Sequence, residues 1–400
     1  MVPPIEFPEL TPLRSIEKSG EDPILCRLSL QVPMKLTLGI FTFLIALFQT
    51  LPVFGQALPD KLADREFWQL VTELSEDSGT FPQQFMSNED SALFVIPALK
   101  SATKPGGTYI GVGSEQNFTY ISAIRPHLAF VVDIRRDNLF EHLMYKALFE
   151  LSDNRADFVS RLFSRKRPVG LDANTHVKAL FDAYRAIDPD TAYYEANLRA
   201  VFQRLMTDHA FPLTDADRLS VTQALNAFRS AGPYSLKGMG DTTNPTYADL
   251  MAATDLEGKL QSYLASEENY RIIRNLEMQN LVVPVVGDFA GDKAIVGIGR
   301  YLREHGAIAN TFYVSNVERY LFEQGEHGKK FYANAATLPA DASSIIVRSV
   351  TSDISRRLGI PIPDGPTKWR SFLFSMEDSL KGVNTGQVQG YTQLFQVGRR

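Results

Sequence analysis

Hydrophobic positions change their period along this chain, and the changes divide it. Between residues 108 and 151, short unbroken apolar runs alternate with stretches of helical spacing. Residues 108–112 and 128–134 read as strands. Residues 115–124 read as a helix with Phe118, Ile121 and Ile124 on one face, and 138–151 as a helix with Leu139, Leu143, Ala147 and Leu151 inward. A strand that is apolar at every position belongs in a parallel sheet covered on both faces. The alternation resumes later: strands at 281–286, 311–314 and 343–350, helices at 293–303 and 317–322, and a final edge strand at 391–397.

Between these two stretches the pattern is helical throughout. Residues 155–275 carry FDAYRAI, YYEANLRAVFQRLM and DRLSVTQALNAFRS, separated by Pro212, by Gly232-Pro233 and by 238–245. Strands joined by helical crossovers, interrupted by helices alone, describe an α/β fold: one doubly wound, mostly parallel Rossmann-like sheet with a large helical insertion. Residues 106–154 form its first half, 155–275 the insertion or cap, and 276–400 its second half. Before it, 58–105 make an N-terminal helical segment in which Phe67, Leu70, Val71 and Leu74 fall at helical spacing.

The extreme N-terminus has another character. Met34-Lys35 precedes the apolar run LTLGIFTFLIALFQTLPVF, and small residues stand at Gly55 and Ala57. That is the form of a signal peptide over 34–57, cleaved after Ala57. The apolar core is short for a bilayer span and is interrupted by Gln49, Thr50 and Pro52. The expectation is a chain exported to the periplasm or the extracellular space with no membrane span in its mature form, or else an N-terminally anchored one. Residues 1–33, rich in Pro and charge, read as an extension, with Met34 as the expected start.

Composition removes several chemistries. The net charge is −5 over 400 residues, so no general field attracts nucleic acid. The single cysteine, Cys26, precedes the expected cleavage point, which leaves no disulfide, thiolate site or cysteine nucleophile in the mature chain. The six histidines lack HxH or HxxxH spacing, and no metal centre is expected. GxSxG, HExxH and Walker motifs are absent from the sequence, which argues against a hydrolase.

The sharpest chemical signal is the turn Tyr109-Ile110-Gly111-Val112-Gly113-Ser114-Glu115, which leaves one strand and opens a helix. Asp133 ends the next strand. Two glycines let a ligand approach the helix N-terminus, and an acid about 20 residues on can receive ribose hydroxyls. The alternative is a tight strand-to-helix turn with Glu115 complementing the helix dipole. Gln116 stands at the third-glycine position of the dinucleotide fingerprint, and the Glu115 carboxylate would repel a pyrophosphate. The turn suits a small-molecule ligand bearing cationic groups better than NAD.

Other candidates are weaker. Asp288 and Asp292 lie beyond a strand end, where they either meet a ligand or cap the next helix. Arg135 and Arg136 either clamp an anion or form structural ion pairs, and Asp137 is a candidate helix cap. Arg161, Arg165, Lys166 and Arg167 make either an anion-binding edge or a solvated helix end. Asn117-Phe118-Thr119 matches a glycosylation triplet by chance inside a helix.

At these residues the chain resembles class I S-adenosylmethionine-dependent methyltransferases. Through stretches such as VGSEQNFTYISAIRPHLAFVVDIRRDN, LMYKALFELS, RLFSRKRP and VSNVERYLF it is also similar to a group of uncharacterised bacterial proteins, over residues 66–350. The resemblance implies that Gly111 and Gly113 line the methionine part of S-adenosylmethionine, that Asp133 binds its ribose, and that the loop Gly287-Asp288-Phe289 contacts adenine; Ser114, Glu115 and Arg135 are further cofactor-binding candidates beside them. Ser315 and Asn316 would occupy the post-strand position of a substrate or catalytic group. Tyr109 and Glu115 depart from the methyltransferase pattern, as does the long insertion before the third strand. The expected function is therefore an S-adenosylmethionine-binding methyltransferase-like protein. The alternatives are a non-catalytic exported binding or structural protein that keeps the fold, or an NAD-dependent oxidoreductase.

Overall fold

The computed structural model describes residues 57–82, 84–236, 244–360 and 367–400. The expected signal peptide and extension at 1–56 lie outside them. No helix of the described residues is long and apolar enough to cross a membrane.

A single six-stranded sheet organises the described residues, in the order β3-β2-β1-β4-β5-β6. Its strands are β1 (Thr108–Gly111), β2 (Leu128–Asp133), β3 (Val282–Val286), β4 (Ala309–Ser315), β5 (Ile345–Thr351) and β6 (Trp369–Ser375). The first five are parallel neighbours, and β6 runs antiparallel to β5. The order reverses at β1, so the crevice at the carboxyl ends of β1 and β4 is where such a sheet offers a ligand position. Unbroken apolar runs make β1, β2 and β3 buried along their whole length. Pro284 is tolerated because β3 is an edge strand with one side of its backbone unpaired by the sheet.

Fifteen α-helices of the described residues cover the sheet and fill the insertion. The N-terminal segment supplies α1 (Asp64–Leu74) and α2 (Ile96–Ala102), and α1 buries Phe67, Leu70, Val71 and Leu74 as its spacing predicts. After β1 comes α3 (Gln116–Ile124), and after β2 comes α4 (Arg136–Leu151). The insertion contains α5 (Arg155–Leu162), α6 (Val177–Asp182), α7 (Thr191–Phe202), a π-helical turn (Gln203–Asp208), α8 (Asp215–Ala231), α9 (Tyr247–Ala252) and α10 (Glu267–Met278). The second half adds α11 (Ala294–Glu304), α12 (Val317–Glu323), α13 (His327–Ala335), α14 (Ser352–Arg357) and α15 (Met376–Asn384).

The insertion shares its core with the sheet. Helix α4 is buried from Asn138 to Glu150 because the sheet covers one side and α8 and α10 the other. Rings from both regions interlock there: Phe118 lies 5.2 Å from Phe149 and 5.4 Å from Tyr263, and Phe149 lies 4.5 Å from Phe158. Edge-to-face and offset aromatic contacts of this kind add specificity beyond area burial.

One expectation fails. Residues 391–397 do not form the edge strand; Tyr391–Gln396 is a 3₁₀ helix. The Gln393 side chain accepts from the amides of Gln389 and Gly390, which winds the backbone into a turn, and Leu394 and Phe395 are consecutive and both buried. The edge position belongs instead to β6, whose Phe374 ring packs 5.5 Å from Phe395.

Candidate functional site

The glycine turn is braced by a residue beside it. Asn117, at the start of α3, folds back so that its amide donates to the carbonyls of Val112 (3.0 Å), Gly113 (3.2 Å) and Ser114 (2.7 Å). It accepts from the Tyr109 hydroxyl at 2.9 Å. A Cβ at position 111 would collide with the Asn117 side chain, so Gly111 is required for this closure. Gly113 is needed for its backbone, at φ +81. Asn117 is thus a structural clamp of the turn.

Around it, the proposed ligand residues come together but are engaged by their own chain. The Asp133 carboxylate receives the amide of Arg135 (2.8 Å) and its guanidinium through Nε (3.1 Å) and Nη2 (3.2 Å). Arg135 Nη1 also donates to the Gln84 carbonyl at 3.2 Å, as does the Ser114 hydroxyl at 3.1 Å. Glu115 is fully buried, and both its oxygens accept from the Ser87 amide at 3.1 Å. Burial pushes its carboxyl up to about 7.

Gln84 and Ser87 belong to a strap, residues 75–82 and 84–91, that crosses the carboxyl edge of the sheet in strand order. At β3 the Val286 amide donates to Ser75 Oγ (3.0 Å), the Glu76 amide to the Val286 carbonyl (3.0 Å), and the Asp288 amide to Glu76 (2.7 Å). Beside β2 the Gly79 amide donates to the Ile134 carbonyl (2.9 Å), where a Cβ would strike the Ile134 side chain. Past β1, Glu89 accepts from Ser315 at the end of β4 and from Ser349 on β5 (2.6 Å). At β6, Asp90 accepts the amides of Lys368 (2.7 Å) and Trp369 (3.0 Å), and the Ser91 hydroxyl donates to the Trp369 carbonyl. The strap therefore lies over the crevice where open α/β sheets take ligands.

The remaining predicted residues are dispersed. Phe289 is buried, 5.4 Å from Phe331 and 5.1 Å from Phe312, and serves the core. Asp288 is half-buried and turns its carboxylate onto the Ala290 amide (2.8 Å). Asp292 is exposed, pairs with Lys330 at 2.7 Å, and does not cap α11, whose first flanking residue is Lys293. Ser315 holds a left-handed backbone, φ +50, with its hydroxyl on Glu89; Asn316 precedes α12 without capping it.

The arginines are structural. Arg136 pairs with Asp217 at 2.9 Å, and Asp137 accepts from Ser220 (2.6 Å) instead of capping α4. In the basic cluster Arg161 meets Asn197, Arg165 the Ile187 carbonyl, Lys166 Asp190 and Arg167 Asp157.

Two groups of buried polar residues went unread in the sequence. Glu89 sits at the middle of the edge among Ser315, Ser349 and Tyr313, and burial raises its carboxyl. On α4, burial lifts Glu141 far above the usual carboxylate range, while it lowers His142 to about 4. The available signal was that Asn138, Glu141, His142 and Tyr145 share one helical face. Among the described residues, no group of three or more His, Cys, Asp or Glu is placed to hold a metal ion.

A family model described as a domain of unknown function (DUF7790) matches residues 84–385, and the chain belongs to that family. No curated protein matches it.

Proposed function

We propose that this member of the DUF7790 family is a methyltransferase-like protein that takes S-adenosylmethionine at the carboxyl edge of its sheet. The charge along the edge supports this. Glu89, Glu115, Asp133 and Glu141 are all buried there, and Arg135 is already bonded to Asp133. Burial holds Glu89, Glu115 and Glu141 toward their protonated forms; pyrophosphate would oppose their ionisation, whereas a ligand carrying an ammonium and a sulfonium would favour it and gain their charge. Binding requires the strap to lift at Gln84 and Ser87, freeing the Gly113–Glu115 turn, and Asp133 to exchange Arg135 for the ribose hydroxyls. Methyl transfer then needs the acceptor placed in line more than it needs an acid or base.

A second reading has its own observation. The strap and Arg135 satisfy the groups a nucleoside would use, as expected of an exported binding or structural protein that kept the fold without the chemistry. Calorimetry of the chain with S-adenosylmethionine, S-adenosylhomocysteine and NAD separates the two. The first reading expects heat with the first two ligands, abolished by Asp133→Ala. Silence at millimolar concentrations, repeated in Asp90→Ala with its strap anchor at β6 removed, favours the second.

A further inference from the structure

Helix α4 carries a buried face that is polar where it should be apolar. Asn138, Glu141, His142 and Tyr145 recur at i, i+3, i+4 and i+7, and none is more than 2 % exposed. A stripe at this spacing normally packs a core. Here each residue holds a buried atom with no hydrogen-bond partner: Asn138 Nδ2, Glu141 Oε1, His142 Nδ1 and the Tyr145 hydroxyl, joined by Gln116 Nε2 at the start of α3. Buried polar groups are almost always bonded, so five together call for a reason.

The chemistry of the orphaned atoms is selective. His142 Nε2 lies 2.8 Å from the Gly113 carbonyl, which can only accept, so Nε2 carries the proton. Burial keeps this imidazole neutral at physiological pH, which leaves Nδ1 as a bare acceptor. Once a bound ammonium holds the Glu141 carboxyl ionised, Glu141 Oε1, His142 Nδ1 and the Tyr145 oxygen are three acceptors on one face. An ammonium group has three donors.

Charge and walls agree with that count. Beyond burial, Arg135 acts most strongly on Glu141 and favours its charged form, while the Glu115, Asp133 and Asp137 carboxylates oppose it; a positive charge entering the face would relieve that repulsion. Phe118 of α3 stands 5.5 Å from the His142 ring and 5.2 Å from that of Tyr145. From the insertion come Tyr247 and Tyr263, whose hydroxyls bond each other and whose rings lie within electrostatic reach of Glu115. Aromatic faces favour a cation and accept a short apolar tail. The Gln116 and Asn138 amides remain as donors for an oxygen at the ligand's other end.

We propose that this face of α4, with Glu115 and the Tyr247–Tyr263 pair, is a binding site for a small primary amine in its ammonium form, of the amino-alcohol type. The site lies behind the glycine turn and does not depend on the edge accepting a nucleoside. A quaternary ammonium lacks the donors that the face would receive. An anion would meet Glu115 and Glu141.

Ethanolamine is the probe, titrated calorimetrically into the full chain at neutral pH, with choline and equal sodium chloride as controls. The expected result is saturable heat with ethanolamine and none with choline. Glu141→Gln and Tyr145→Phe should each weaken binding about tenfold or more, with unchanged far-ultraviolet circular dichroism. Tyr145→Phe removes one oxygen from an aromatic core position and keeps the test alive if Glu141→Gln does not fold. Heat no greater than with salt, equal binding of choline, or full affinity in Tyr145→Phe would each overturn the assignment and leave solvent as what satisfies the face.

Discussion

Near β5, Arg348 and Glu318 meet at 2.7 Å with both side chains wholly buried, while Tyr332 and Ser379 both meet Nη2 of the guanidinium, at 2.7 and 3.1 Å, and Nη1 stays without a hydrogen-bond partner. Beside the glycine turn, Glu115 and Glu141 are as deeply buried, but neither is bonded to a cation. A charge enclosed in protein is strongly disfavoured unless a partner and hydrogen bonds compensate it. The first region supplies the counter-charge internally, and all but one of the guanidinium nitrogens are bonded, so it is architecture: it ties β5 to α12, α13 and α15. The second leaves the requirement open, and open requirements of this kind collect at functional sites. Burial is the same in both. Compensation distinguishes them.

The sharpest way to break the comparison is to open the closed network. Arg348→Met leaves Glu318 buried without a counter-charge and should cost about 3–5 kcal/mol in denaturant unfolding. The double variant Arg348→Met/Glu318→Leu should recover most of that loss, since two apolar side chains need no compensation. A single-variant cost below about 1 kcal/mol would mean that water already reaches the pair, and the contrast would fail.

Glu115→Gln should act in the opposite direction. Burial places the Glu115 carboxyl at about 7 against its usual 4.5, so the folded chain holds this proton more tightly than the unfolded one. Its effect on stability is nil below the unfolded value, becomes unfavourable as pH rises, and levels off above the folded value. The glutamine removes that slope and keeps an oxygen for the Ser87 amide. At about pH 8 the variant should be more stable than the parent by up to roughly 3 kcal/mol, and near pH 4 the two should coincide. Paired urea titrations at the two pH values check this; a variant less stable at both would assign Glu115 to the architecture.

What could be read from sequence followed how local the physics was. Strands β1, β2 and β3 announced themselves because they are apolar but for Thr108 and Asp133 at strand ends, and the glycine turn because Gly111 and Gly113 fall between a strand and a helix. Strand β6 was hidden by Arg370 and Ser371, polar residues buried within its own run. The strap was illegible for a different reason: the Ser91 bond to Trp369 spans 278 residues, and nothing in a Ser/Gly/Pro-rich stretch says which edge it will cross. The polar face of α4 was overlooked because Leu139, Leu143, Ala147 and Leu151 already supplied one inward stripe. The opposite face is buried by the glycine turn, by Phe118 of α3 and by Tyr247 and Tyr263 of the insertion, none of which its own spacing announces. That Phe289 turns into the core and Asn316 leaves α12 uncapped was not legible either, because a position after a strand end specifies where the backbone goes, not where the side chain turns.

A third buried group of charges, at the N-terminal helix, refines the rule by a smaller amount. His209 closes the π-helical turn and is held between Asp64 of α1 and Glu150 of α4, at 2.7 Å each, with Lys146 on Glu150 at 2.8 Å. Burial opposes charging the ring, but the bonds to Glu150 and Asp64 outweigh it and raise its pKa. At the two carboxyls burial is likewise outweighed and the pKa lowered, at Asp64 first by the Asn280 amide and then by His209, and at Glu150 by His209 and Lys146. A raised histidine contributes fully below its unfolded value and loses that contribution as pH climbs through the folded one. The lowered carboxyls contribute above their unfolded values and lose it as pH falls through the folded ones. The cluster should therefore stabilise most between roughly pH 4.5 and 6.5. His209→Ala should cost about 1–2 kcal/mol there and measurably less near pH 9. Such a window is the mark of a compensated cluster, whereas Glu115 only destabilises as it ionises. A His209→Ala loss equal at both pH values would instead attribute the position to ring stacking on Phe211, 5.0 Å away and nearly parallel, and remove this cluster from the compensated class.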